Sequence, residues 1–304
     1  MMVFKIFFQS IRKLLSQWKL WLAVYLFISV LALLAAVPVS KAFANFAGTS
    51  DLAASITSGN LTETPLFEFS VFHRDCISQL FTILPILIGL TILFYLFFKG
   101  GFIAACLKKD CTLPAPEFLR ISAVKFPGLF LIAASSLVFV IPVLLLNLPL
   151  SALCRWISGD SEPLFALMFI LRAVLLLFIF ITIKAAFDFA QISSVYKKGI
   201  KTFSAVKNGW IIFFRYPFKI FGLIFIALAA GIAVTLIYSS ISRVLNMETA
   251  IGTVAHILLL QAVLFIRTGI ILAFTCSEAG LFSEYEVPLL KWWYDGRSQQ
   301  GISE

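Results

Sequence analysis

A chain of 304 residues that is 61% hydrophobic and only 13% charged, with a mean hydropathy of +1.01, holds more apolar surface than one soluble domain can hide. That excludes an ordinary water-soluble globule. The formal charge of +9 is no sign of nucleic acid, because its cations gather between apolar stretches, the pattern of a membrane surface.

Residues 1–19 read as an amphipathic helix in the headgroup plane. Phe4, Phe7, Phe8, Ile11, Leu14, Leu15 and Trp18 form an apolar stripe, and Lys5, Gln9, Arg12, Ser16 and Lys19 lie elsewhere. Six apolar stretches long enough for about 30 Å of hydrocarbon follow, at 20–39, 77–98, 127–150, 163–187, 219–241 and 253–275. The expected fold is therefore an all-α polytopic membrane bundle of six transmembrane helices in one integral domain, with interfacial helices on the cytoplasmic side. A signal peptide ending at Ala42-Phe43-Ala44 is the competing reading of the first stretch, but its apolar run exceeds the usual signal length and an organised helix precedes it.

With the N-terminus inside, the inner segments hold four Lys/Arg before the first span, five at 99–126, seven at 184–219 and two beyond 276. The outer loops hold four, and Arg172 and Arg267 fall within spans. The asymmetry predicts an inner-membrane protein with both termini cytoplasmic. The one sizeable extracytoplasmic loop, 40–76, carries Asp51, Glu63, Glu68 and Asp75 and the sequon Asn60-Leu61-Thr62, and residues 276–304 form a cytoplasmic tail with an aromatic anchor at Lys291-Trp292-Trp293-Tyr294.

The unit of inner amphipathic segment, outward span, loop and returning span recurs from near residues 1, 115 and 199, which suggests a threefold parallel repeat. In the third unit Ile200, Phe203, Val206, Trp210 and Phe213 oppose Lys197, Lys201, Ser204, Asn208 and Arg215, and Pro217 ends the segment. Arg12, Lys13, Lys197, Lys198, Lys201 and Arg215 are the candidate contacts to anionic lipid headgroups, with plain positive-inside anchoring as the alternative.

Arg172 and Arg267 are the candidate ligand-binding cations, since a guanidinium within a span costs roughly 3 kcal/mol on insertion scales. Asp188, near the inner surface, is placed to meet Arg267 across the bundle. Glu278 follows Arg267 by eleven residues, about 16 Å along a helix and too far for a direct pair. The competing reading is helix packing or snorkelling, with Arg267 near enough to the inner end to snorkel and Arg172 needing a buried acceptor. Pro85 and Pro142 inside spans imply kinks, while Gly100, Gly101, Ala104 and Ala105, and Ala227 with Gly231, permit close helix approach.

Cys106, Cys111 and Cys276 fall on the inner side and are expected to be reduced. Cys76 and Cys154 fall at outer span ends, where an oxidising exterior would join them, and two unpaired thiols is the other reading. His73 and His256 are the only imidazoles. No metal spacing, P-loop, GxSxG or HExxH occurs, so neither enzyme nor cofactor is expected.

The run Phe187-Asp188-Phe189-Ala190-Gln191-Ile192, the basic segment ending Phe214-Arg215-Tyr216-Pro217, and Leu260 to Arg267 together resemble uncharacterised six-span bacterial membrane proteins. These are similar to the membrane domain preceding some glycerophosphodiester phosphodiesterase domains. Phe189 and Gln191 stand where that group's D-Y-A-R-I-like run has Tyr and Arg, and phosphodiesterase activity is not expected of these 304 residues. The expected function is binding or transport of an amphiphilic or anionic small molecule or lipid. The alternative is a scaffold or accessory subunit with a protein partner or a second copy of itself.

Overall fold

The computed structural model describes residues 2–47, 74–108, 113–159, 161–197, 199–245 and 250–300, and side chains at 3–34, 36, 37, 84–108, 113–159, 161–197, 199–245 and 251–284. The described residues form eight α-helices and no strand. They are α1 (Met2–Ser16), α2 (Trp18–Ala47), α3 (Arg74–Leu107), α4 (Ala115–Ser158), α5 (Glu162–Tyr196), α6 (Thr202–Arg215), α7 (Pro217–Ser242) and α8 (Ala250–Gln300). The sequon, Asp51, Glu63, Glu68, His73, Cys111 and Lys198 lie outside the described residues, as do the side chains of Asp75, Cys76 and the C-terminal aromatic anchor.

Five stretches are long and apolar enough to cross a membrane: Leu84–Leu107, Ala115–Ser158, Glu162–Tyr196, Pro217–Ser242 and Ile251–Glu284. A sixth is present if Val3–Ser16 and Trp18–Leu34, which meet at 83°, are counted as one broken span. That bend falls where the amphipathic stripe gives way to the uniformly apolar run. A similar stop separates α6 from α7, because Pro217 cannot continue the donor ladder of the helix before it and instead opens the next one.

The middle copy of the suggested repeat has no such break. The segment from 115 joins its span in one helix of 44 residues, about 66 Å long, running through Pro127, Pro142 and Pro149. Gly159, at φ +50°, follows the end of α4, and Gly199, at φ +73°, precedes α6. Both adopt the left-handed backbone that favours glycine.

The chain divides into two compact units. The first comprises Met1–Ser16, Leu96–Leu228 and Leu272–Glu304, and the second Gln17–Tyr95 and Ala229–Ile271. The first owes its core to small residues. On α5 the outward-facing Leu171, Val174, Leu177 and Phe178 are exposed, as lipid contact requires, yet from Ala185 to Ser193 every side chain is buried. Ala185, Ala186 and Ala190 let neighbouring helices approach. A methyl on Gly209 of α6 would overlap the Ala186 carbonyl and stand 2.8 Å from the Ala190 nitrogen. A methyl on Gly101 would overlap the Ser122 hydroxyl and stand 2.8 Å from the Phe118 ring, so the expected close approach at Gly101 is realised between α3 and α4. Gly231, in contrast, has nothing within 4 Å of an added methyl.

Ile6, Ile103, Leu129, Phe189, Ile212 and Leu281 meet in one apolar cluster, which gathers α1, α3, α4, α5, α6 and α8. The amphipathic helices are therefore partly internal. In α1 the buried face is Ile6, Phe7, Ser10 and Leu14, while Phe4, Phe8 and Leu15 stay exposed. In α6 it is Ala205, Val206, Gly209, Ile212 and Phe213, and Phe203, assigned by periodicity to the same stripe as Val206, is 81% exposed.

The second unit is held by aromatic and polar pairs. The rings of Trp21 and Phe265 stack at 4.1 Å, and the Trp21 indole donates to the Phe265 carbonyl at 3.1 Å. The Tyr25 hydroxyl donates to Gln261 Oε1 at 2.6 Å. These contacts give polar groups within apolar helices the partners that hydrocarbon cannot supply.

Candidate functional site

The buried polar groups of the first unit concentrate where α3, α5 and α8 lose their exposed apolar surface. Lys99, Asp188, Gln191, Ser193, Thr275, Ser277 and Glu278 are each less than a tenth exposed. Lys99 follows the Phe97-Phe98 pair and precedes Gly100-Gly101, so its helix packs too closely at that point for the ammonium to reach water. It turns inward and donates to Asp188 Oδ1 at 2.5 Å. Lys184, one turn before Asp188 on α5, donates to Oδ2 at 2.5 Å.

The two cations are not equivalent. The Lys99 side chain is 7% exposed and that of Lys184 65%, with the Lys184 ammonium 5.0 Å from the Phe274 ring centre. Lys99 is a buried counter-ion that offsets the large cost of burying a carboxylate. Lys184 is a surface cation whose hold on Asp188 is open to competition. Glu278 completes the cluster, within electrostatic reach of Asp188, Lys99 and Lys184, and its Oε1 is buried with no hydrogen-bond partner. Gln191, on the next turn of α5 after Asp188, is likewise buried with Oε1 unpartnered.

Between α4 and α5 runs a cleft of about 470 Å³ that ends on this cluster. Val140, Leu177, Phe180, Ile183 and Phe187 give it apolar walls, and Ser136, Lys184, Asp188 and Gln191 give it a polar end. Apolar walls converging on a few placed polar groups are the general form of a small-molecule site. The volume lies within the range of such sites. The arrangement suits an amphiphile, with hydrocarbon along the walls and a polar head at Lys184.

Asp188, paired with Arg267 on the sequence, has its two oxygens held by Lys99 and Lys184. Arg267 is exposed on α8 and makes no ion pair among the described residues. Arg172 is half-buried, its guanidinium 4.9 Å from the Phe169 ring centre, and neither arginine lines the cleft. Among the headgroup candidates, Arg12, Lys201 and Arg215 are exposed, and Lys13 and Lys197 are half-buried.

The cysteines also depart from expectation. Cys106 of α3 and Cys276 of α8, expected as free thiols, are joined by a disulfide across 170 residues, with their Cα atoms 5.3 Å apart. Cys154 is a free, buried thiol that donates to the Met168 carbonyl at 3.6 Å, which is the unpaired one of its two readings. His256 Nε2 pairs with the Tyr238 hydroxyl at 3.1 Å. Among the described residues no group of three or more His, Cys, Asp or Glu is arranged to hold a metal. No protein-family model, no curated protein and no solved structure matches this chain.

Proposed function

We propose that this multi-pass helical protein binds an anionic amphiphile in the α4–α5 cleft, as the binding or translocation step of a transport or lipid-handling role without covalent chemistry. The observation that carries the proposal is the polar end of an apolar cleft. Lys184 offers an exposed cation there, and Gln191 Oε1 lacks any donor. An arriving phosphate or carboxylate competes with Asp188 for Lys184. Asp188 can release that cation because Lys99 still holds its other oxygen, so ligand entry leaves no buried carboxylate uncompensated. The excess of Lys and Arg on the segments assigned to the inside supports an inner-membrane protein with cytoplasmic termini, drawing on anionic lipid.

The test is extraction in mild detergent and mass spectrometry of everything retained. Wild type is expected to keep a discrete anionic amphiphile near one per chain, and Lys184→Gln to lose it while remaining folded. A stoichiometric protein partner with no bound small molecule would refute the proposal and favour a scaffold.

A further inference from the structure

The polar end of the cleft is not simply cationic. Against one cation, Lys184, it sets three residues with side-chain oxygens: Asp188, Gln191 and Ser136. Each Asp188 oxygen accepts one lysine bond and keeps further lone-pair capacity. The Ser136 hydroxyl spends its proton on the Ala133 carbonyl at 2.6 Å, so only acceptor capacity remains. Gln191 Oε1 has no donor at all. A ligand that brought only an anion would satisfy Lys184 and crowd three acceptors with more negative charge.

Resting on the reading of this cleft as an amphiphile site, we propose that its ligand has a headgroup bearing both an anion and at least one N–H or O–H donor: the anion meets Lys184, and the donor meets Gln191 Oε1 and Asp188. An acylated aminoalkyl phosphate and an acylated glycerol phosphate share that chemistry. A quaternary ammonium headgroup has the same phosphate and no donor, and is the matched control. A buried acceptor left unsatisfied costs enough to give about a fivefold preference or more.

The experiment is native mass spectrometry of the full chain titrated with three phospholipids of identical acyl chains, carrying ethanolamine, glycerol or choline headgroups. Ethanolamine lipid, equal to choline lipid in net charge, is expected to bind at least about fivefold more tightly than choline lipid. Gln191→Met is expected to lower the ratio through weaker binding of the donor-bearing lipid, with the Asp188 acceptor still in place. Equal wild-type affinity for all three lipids overturns the donor requirement, and this comparison needs no variant to fold. Lys184→Gln separates the two ideas. If it weakens every lipid while the three remain equal, the cleft reading stands without the donor requirement. If it weakens none, the cleft reading itself falls.

Discussion

Replacing Lys99 by Met tests whether Asp188 is anchored by its buried counter-ion or by its exposed one. Lys99 is 7% exposed and Asp188 9%, so removing the ammonium leaves a buried carboxylate held only by Lys184, a side chain 65% exposed. Breaking a buried pair from one side costs about 3 to 5 kcal/mol. Losing an exposed partner costs roughly 0 to 1 kcal/mol. Lys99→Met is therefore expected to destabilise several-fold more than Lys184→Met. The combination Lys99→Met with Asp188→Leu is expected to recover most of the loss, because an apolar pair of similar volume replaces the buried ions and the abandoned Lys184 already reaches water. Equilibrium unfolding in mixed micelles, followed by tryptophan fluorescence, measures all four proteins. A Lys184→Met loss equal to that of Lys99→Met, or a double variant no better than Lys99→Met alone, would refute the assignment of Lys99 as the anchoring ion.

Gly209→Ala is expected to cost about 1 to 3 kcal/mol in the same assay, since the methyl overlaps the Ala186 carbonyl of α5, whereas Gly231→Ala, with open space around it, is expected to be neutral or to stabilise by up to about 1 kcal/mol. Alkylation of the denatured chain without reductant is expected to label Cys154 and spare Cys106 and Cys276, and labelling of both would restore the reduced thiols expected from the charge count. Breaking that bridge with Cys106→Ser is expected to cost roughly 2 to 5 kcal/mol. Arg172→Leu forfeits one ring contact worth about 1 kcal/mol and is expected to leave amphiphile retention within twofold of wild type, measured beside Lys184→Gln.

The helices were legible because hydropathy over some twenty residues is a strong signal and lipid imposes it on each span separately. Their ends were less so. A proline stands between the amphipathic segment and its span at residues 127 and 217, yet α4 passes through Pro127 unbroken while α6 stops before Pro217, and α1 stops near Gln17 without a proline. Proline decides the matter only when the chain before it has somewhere else to go. Tyr216 precedes Pro217 outside helical geometry, at φ −129° and ψ 45°, while the residues before Pro127 are locked by packing of Phe118 and Ser122 against α3. Periodicity likewise misassigned Phe203, because α1 and α6 each have two apolar faces, one for protein and one for lipid, and a single moment averages them.

Charge in a membrane chain is read first by depth, and depth singles out Arg172 and Arg267. A long guanidinium can reach an interface or lie on a ring, so depth alone does not make a site. Lys99 was counted only toward the inner charge excess, although the sequence held a clue in the glycines that follow it. A cation beside Gly100-Gly101 sits where helices close together, and an ammonium with no route to water must find a carboxylate. Asp188 lies in a stretch whose alanines announce the same closeness. Small residues flanking a charge mark burial more surely than apolar residues flanking it, since the former bring protein to that point and the latter bring only lipid.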